Sequence, residues 1–269
     1  MVFYVDLLIF AIACIAVSQF SALLVKSLAK IATFLKINEF TIAFILVAIA
    51  TSLPETFIGI MSALEGVPAF SIGNVIGSNI IDLTLIAGIG AVLAKKLKVE
   101  SRIIKTDMLY MFMIALLPVI LLVDHTFWAM FGIEVTPGIS RIDGTILVLV
   151  FGAYMYNLLR QESKFPKMED PTSKKELTKY ILFFIGSIIA LVISSSFVVD
   201  IAKRMSVDIG ITPLLTGIFF IALGTTLPEL VFTVKSVASK HESLAIGDLM
   251  GSVITNSTLV LGVTAIIHP

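Results

Sequence analysis

The stretch Thr51-Ser52-Leu53-Pro54-Glu55 returns later in the chain as Thr225-Thr226-Leu227-Pro228-Glu229. A second stretch, Gly73-Asn74-Val75-Ile76-Gly77-Ser78, returns as Gly247-Asp248-Leu249-Met250-Gly251-Ser252. Both keep one offset of 174 residues, and around them Ala48–Ala91 aligns on Ala222–Ala265 without a gap. Fifteen of those 44 positions are identical, against roughly three or four expected by chance at average residue usage. A duplication in strict register sets the internal architecture.

Composition says which kind. Of 269 residues 58% are hydrophobic and 14% charged, where soluble domains carry roughly 25% charged residues; the mean hydropathy is +1.05. Nineteen basic and nineteen acidic residues cancel, so no bulk charge points to nucleic acid. A single cysteine, Cys14, excludes a disulfide scaffold and a multi-cysteine metal site. A soluble enzyme, a disordered chain and a nucleic-acid binder are excluded. What remains is an integral membrane protein whose first partner is the lipid bilayer.

A bilayer core takes about 20 apolar residues per helix. Eight stretches qualify, at 4–25, 40–63, 69–94, 108–123, 143–159, 178–199, 212–237 and 243–267. The first lacks a basic leader and carries Asp6, so it reads as a retained span. The expected class is an all-α polytopic fold of about eight spans. Residues 1–160 form a first half with spans 1–5, and 177–269 a second half with spans 6–8. The polar stretch 161–176, with Pro166 and Pro171, joins them as a cytoplasmic linker. With both termini outside, all Lys and Arg except Arg141, Lys203 and Arg204 fall inside, as the positive-inside bias demands.

The copies occupy spans 2–3 and 7–8. Equivalent spans are offset by five, an odd number, so the copies enter the membrane from opposite sides. Inverted repeats of this kind hold a substrate site near the midplane, on interrupted helices. Each copy places Pro beside Glu in mid-span, and proline frees carbonyl oxygens by removing a backbone donor. Thr51 and Glu55 stand four apart, as do Thr225 and Glu229, Ser78 and Asp82, and Ser252 and Asn256. Residues at that spacing share a helix face. The result is a set of hard oxygen donors suited to calcium, magnesium or sodium, with no His, Cys or Met to suggest zinc or copper. A mid-membrane charge costs at least about 2.5–3.5 kcal/mol. Glu55, Asp82, Glu229 and Asp248 have no Lys or Arg beside them in their spans, so a bound cation is the compensating charge. The Gly73/Gly77 and Gly247/Gly251 pairs suit close helix contact.

Other polar residues read more plainly. Asp6, Glu39, Glu65, Asp107 and Asp143 sit near span ends and are expected at the interfaces; Trp128 reads as an interfacial anchor and Cys14 as a packing residue.

On these residues the chain resembles the calcium/cation antiporter superfamily. TSLPE with GNVIGSNIID, and TTLPE with GDLMGSVITN, look like its two alpha-repeats, most like the sodium/calcium exchanger branch. The resemblance implies a fold of two inverted five-span halves with spans 1 and 6 sliding across a core. It also implies antiport of calcium against sodium by alternating access, a transporter rather than an enzyme, with no cofactor beyond the transported ions. Carried over residue by residue, Glu55 and Glu229 are central ligands. Thr51, Ser52, Thr225 and Thr226 offer hydroxyl or carbonyl oxygens, and Ala48 and Ala222 offer sodium-binding carbonyls. Ser78, Ser252, Asp82 and Asn256 complete the set, with Asn74 and Asp248 as further candidates.

Three departures stand out. Asp and Asn are exchanged between repeats, Asp82 lying in the first and Asn256 in the second. Asp248 replaces the usual Asn, and its role is open. Counterparts of spans 4 and 5 do not follow span 8 before Pro269. A polar flank of span 8, with Ser243, Asp248, Thr255 and Ser257, is therefore expected to face lipid unless a second copy or a further C-terminal segment covers it. Proton-coupled calcium exchange is the alternative within the superfamily, and a passive cation channel the alternative outside it.

Overall fold

The computed structural model describes residues 2–34, 51–94, 102–129, 138–161, 174–239 and 242–269. The described elements are helical. Helix α1 spans Val2–Phe34, α2 Leu53–Leu64 and α3 Ala69–Ala94, widened by a π turn at Asp82–Ile86. Helix α4 runs Arg102–Ala129, α5 Arg141–Gln161 and α6 Lys174–Ile209. Helix α7, Pro213–Thr225, meets α8, Leu227–Ala238, at a bend of 42°. The last helix, α9, begins as Glu242–Thr255, passes through a π turn at Asn256–Val260 and ends as Leu261–Ile267.

Apart from Ser52, Thr212 and Thr226, each of the eight apolar stretches falls on helix wherever it is described, and residues 40–50, with Ala48, lie outside the described set. Three helices outrun the expected spans, because α1, α4 and α6 continue into polar flanks. The link expected at 124–141 is helical up to Ala129; the side chains of Trp128 and Asp107 lie outside the described set. Among the described residues, four helices are long and apolar enough to cross a membrane, or five with the bent α7–α8 pair.

Polar and apolar residues partition inside out. Leu8, Ile12, Leu109, Phe112, Leu149, Leu182, Ile189 and Phe219 face outward, while Thr51, Ser52, Glu55, Asn74, Ser78, Asp82, Glu229 and Asn256 are buried. In water such an arrangement forfeits hydrophobic burial. In lipid it costs nothing outside and gathers the polar groups where they satisfy one another. The chain is an integral membrane protein.

Two apolar clusters hold the helices. One joins α1 (Phe10, Cys14, Val17) to α6 (Leu191, Val198, Met205), reaching Ile58, Phe70 and Ile221 beneath. Cys14 thus packs as expected. Ion pairs close the same layer: Lys203 meets Glu65 at 2.5 Å and Arg204 meets Asp6 at 3.2 Å. Asp6 and Asp143 are buried, so neither is a free interfacial charge. Asp143 instead accepts the Ser140 hydroxyl at 2.6 Å and the Ser140 amide at 2.9 Å, closing the N-terminus of α5.

The second cluster sets Leu147 and Ile139 against Val260, Leu261, Ala265 and Val75. It overturns the expected open flank of span 8. Asp248, Thr255 and Ser257 are all buried, Asp248 against Thr51 and Ser257 against Asn79, and α4 and α5 of the first half pack on α9 of the second. Gly144 and Gly262 make that crossing tight, since a Cβ on either would sit 2.7–2.8 Å from the other's carbonyl oxygen. The side chain of Ser243 lies outside the described set. The open face belongs to α3 instead: Ile76, Ile80 and Leu83 are 41%, 53% and 46% exposed, whereas their repeat equivalents Met250, Ile254 and Ser257 are buried.

Candidate ion site

In each repeat the residue before Leu-Pro-Glu leaves helical geometry. Ser52 (φ −84°, ψ 8°) and Thr226 (φ −79°, ψ 2°) adopt almost the same off-helix conformation, and each is followed by Leu-Pro-Glu. Proline is tolerated in a first helical turn, where its missing N–H has no partner to lose. The break therefore falls just before Pro54 and Pro228. Glu55 and Glu229 sit in the first turns of α2 and α8, where the helix dipole favours an anion. Both are fully buried.

The residues beside the breaks reach across to the other repeat. The Thr51 hydroxyl donates to Asp248 Oδ1 at 3.0 Å and lies 3.0 Å from the Ser252 hydroxyl. In mirror fashion, the Thr225 hydroxyl donates to Asn74 Oδ1 at 3.1 Å and lies 3.3 Å from the Ser78 hydroxyl. Every residue in the first set maps on one in the second at the repeat offset. A two-fold relation produces this exchange, residue i touching j while the equivalent of i touches the equivalent of j. Ser78 also reaches Glu55 Oε1 at 3.5 Å.

Close backbones permit these bonds on the α3 side. A Cβ on Gly77 would sit 2.5 Å from the Ile218 carbonyl oxygen and 2.6 Å from Ala222 Cβ, and one on Gly217 would sit 2.6 Å from the Phe70 carbonyl oxygen. The small-residue spacing at Gly73/Gly77 thus marks a real backbone crossing of α3 on α7.

The sequence carries no signal for the π turns. Among the described residues there are three: one widens α7 at Gly217–Ile221, and the other two begin at Asp82 and at Asn256, the equivalent residues of the two repeats. A π turn adds a residue to the helix and shifts the register of its carbonyls, and such bulges are frequent at functional sites. Asn79 and Ser257 join the site without having been expected as ligands. Asn79 donates to the Ser257 hydroxyl at 3.0 Å and accepts from the Asn256 amide at 3.3 Å. Repeat comparison hides both, since Asn79 matches Val253 and Leu83 matches Ser257; the helical spacing of Asn79 from Asp82 is the signal that could have found it.

Of the remaining candidates, Ser52 Oγ is buried without a partner among the described residues. The Ala222 carbonyl accepts the Thr226 amide at 3.1 Å and the Thr226 hydroxyl at 2.9 Å. Thr226 is thus bonded to its own helix, while Thr51 and Thr225 cross to the other repeat.

Charge is what distinguishes this interior. Glu229 lies in the field of Glu55, Asp82 and Asp248, and Asp248 in that of Asp82. Both oxygens of Asp82 and of Glu229, Glu55 Oε2 and Asp248 Oδ2 have no hydrogen-bond partner among the described residues. No Lys or Arg among them pairs with these four acids. Nor do three carboxylate, imidazole or thiol groups meet there as a ready-made metal cage. A cation held here needs hydroxyl, amide and carbonyl oxygens between the acids, and those are the neighbours present.

Comparison with known proteins gives a consistent result. The family model for sodium/calcium exchanger proteins matches residues 5–160 and 179–269. The sodium/calcium exchanger MaX1 of Methanosarcina acetivorans is 28% identical, over 98% of this chain and 84% of its own. The inner membrane protein YrbG of Escherichia coli is 27% identical, over 83% of this chain and 68% of its own. Among solved structures, the H+/Ca2+ exchanger CAX aligns at a TM-score of 0.77 and 18% identity, covering 97% of this chain and 67% of that one. The sodium-calcium exchanger NCX_Mj aligns at a TM-score of 0.64 and 24% identity, covering 99% and 83%. At those identities the two structures speak for the arrangement of helices.

Proposed function

The chain belongs to the sodium/calcium exchanger protein family, and on that premise we propose that it exchanges calcium for sodium across a membrane by alternating access. The observation that carries the reading is the buried set Glu55, Asp82, Glu229 and Asp248, whose charges have no basic partner among the described residues. Such charges persist in a membrane interior when a mobile cation neutralises them.

Calcium prefers six to eight hard oxygens, several of them carboxylate. Glu55 and Glu229, each in the first helical turn after its break, are its central ligands, with Asp82 and Asn256 flanking. Sodium carries half the charge and takes fewer carboxylates. The hydroxyl sets around Thr51 and Thr225, with Ser52, Ser78 and Ser252, suit it. The Ala222 carbonyl joins them when the Thr226 hydroxyl gives way; Ala48 is its repeat equivalent. Exchange follows because the two ions draw on the same glutamates, so binding of one expels the other. Helices α1 and α6, packed on each other, form the layer that moves across this core.

Proton coupling is the second reading, favoured by the higher fold similarity to the H+/Ca2+ exchanger. The paired hydroxyls, which add neutral oxygen ligands beside the acids, suit sodium and favour the first reading. Radioactive calcium uptake into vesicles carrying the protein separates the readings. Uptake driven by an outward sodium gradient supports sodium exchange, and uptake driven only by a proton gradient overturns it. Uptake along the calcium gradient without any counter-ion would mean a channel.

A further inference from the structure

The two-fold relation between the hydroxyl sets is broken at one atom type. Asn74 and Asp248 are repeat equivalents, and each accepts a threonine hydroxyl through Oδ1, at 3.1 Å and 3.0 Å. An amide therefore suffices for that hydrogen bond. The negative charge of Asp248 is surplus to holding Thr51 in place, yet it is buried to 3% exposure. Its second oxygen, Oδ2, has no partner among the described residues. A buried charge that its structural role does not require points to a ligand.

The neighbours define that ligand. Thr51 and Ser252, 3.0 Å apart, bring hydroxyl oxygens to the same point as the Asp248 carboxylate. One carboxylate and two hydroxyls make a hard set of single negative charge. Alone it is too poor in charge and oxygens for calcium, and it matches a monovalent cation. The set around Thr225, Ser78 and Asn74 offers the same hydroxyls with a neutral amide.

We propose that Asp248 is a specificity-determining ligand that gives the Thr51–Ser252 side of the site a charge the Thr225–Ser78 side lacks, and so makes it the tighter of the two for a monovalent cation such as sodium. The proposal rests on the exchange reading above and adds to it an inequality between two otherwise matched sides. Calcium, held between Glu55 and Glu229, depends on Asp248 less.

Equilibrium sodium and calcium binding to the purified full chain tests it. Asp248→Asn keeps the hydrogen bond to Thr51, as Asn74 does for Thr225, and removes only the charge. Sodium affinity should fall by at least about tenfold, about 1.4 kcal/mol, with calcium affinity changed by less than about threefold. Adding Asn74→Asp to Asp248→Asn moves the charge to the mirror side and should restore sodium affinity. Asn74→Asp alone should raise it, which keeps the test open if Asp248→Asn does not fold. Unchanged sodium affinity in Asp248→Asn, or in Asn74→Asp where that variant stands alone, overturns the proposal and leaves Asp248 as a positioning residue for Thr51. A parent chain that binds calcium but no sodium overturns both the proposal and sodium exchange.

Discussion

Thr225, at the end of α7, donates its hydroxyl to Asn74 of α3 at 3.1 Å, joining residues 151 positions apart in sequence. Its mirror, Thr51 with Asp248, closes the opposite junction at 3.0 Å. Each repeat is thus completed by the other: neither Pro-Glu break has its polar shell until the second copy supplies it. That dependence makes the two glutamates a single unit, so the loss of either should disable the whole site.

Glu55→Gln and Glu229→Gln keep size and remove one charge each from the centre. Truncating one member of a buried charge interaction costs about 2–5 kcal/mol, so calcium transport should fall by at least about thirtyfold in either variant. Vesicle flux measures it. Near-normal flux in both would remove the glutamates from the ion path.

Asp82 and Asn256 open equivalent π turns. If the ion meets them as equivalents, Asp82→Asn combined with Asn256→Asp should recover much of what Asp82→Asn alone loses, a coupling of about 1 kcal/mol or more. The exchange rate in a double-mutant cycle reads this out. Strictly additive losses would show that the positions are not interchangeable.

The repeat and its two glutamates were legible because they are written as identities in register. Thr51, Glu55, Gly73 and Ser78 each have their match in the second copy. What stayed hidden has no such echo. The crossing of α4 and α5 onto α9 depends on Gly144 meeting Gly262, a contact between residues on no shared motif, and the expected lipid exposure failed because Asp248 meets Thr51 and Ser257 meets Asn79 inside the core. The π turns escaped because widening by one residue leaves the hydrophobic pattern almost unchanged. Asn79 escaped because its equivalent is Val253.

Backbone proximity makes a stability prediction. In Gly77→Ala the new methyl would stand 2.5 Å from the Ile218 carbonyl oxygen, forcing α3 from α7 and stretching the Ser78–Thr225 contact. A loss of about 1–3 kcal/mol is expected from overpacking. Gly88→Ala, with no neighbouring atom within 4 Å of the new methyl, should leave stability unchanged or slightly raised. Thermal unfolding of both in detergent decides it, and equal melting temperatures would contradict the tight crossing.

Equivalent positions on α3 and α9 should report opposite surroundings. Ile80 is 53% exposed on the face of α3 that looks away from the helical core, whereas its repeat equivalent Ile254 is fully buried beneath the first half's helices. With Cys14 replaced by serine, a nitroxide attached at Ile80→Cys should collide freely with oxygen dissolved in the hydrocarbon. The same label at Ile254→Cys should be shielded, and its bulk should lower stability by about 1–3 kcal/mol through overpacking. Two labels with the same oxygen accessibility would mean that α4 and α5 do not cover α9, and the arrangement of the two halves would have to be redrawn. An Ile80 label that is shielded in membranes but accessible in dilute detergent would instead show a neighbour on α3, which a second copy of the chain supplies if the shielding returns with protein density.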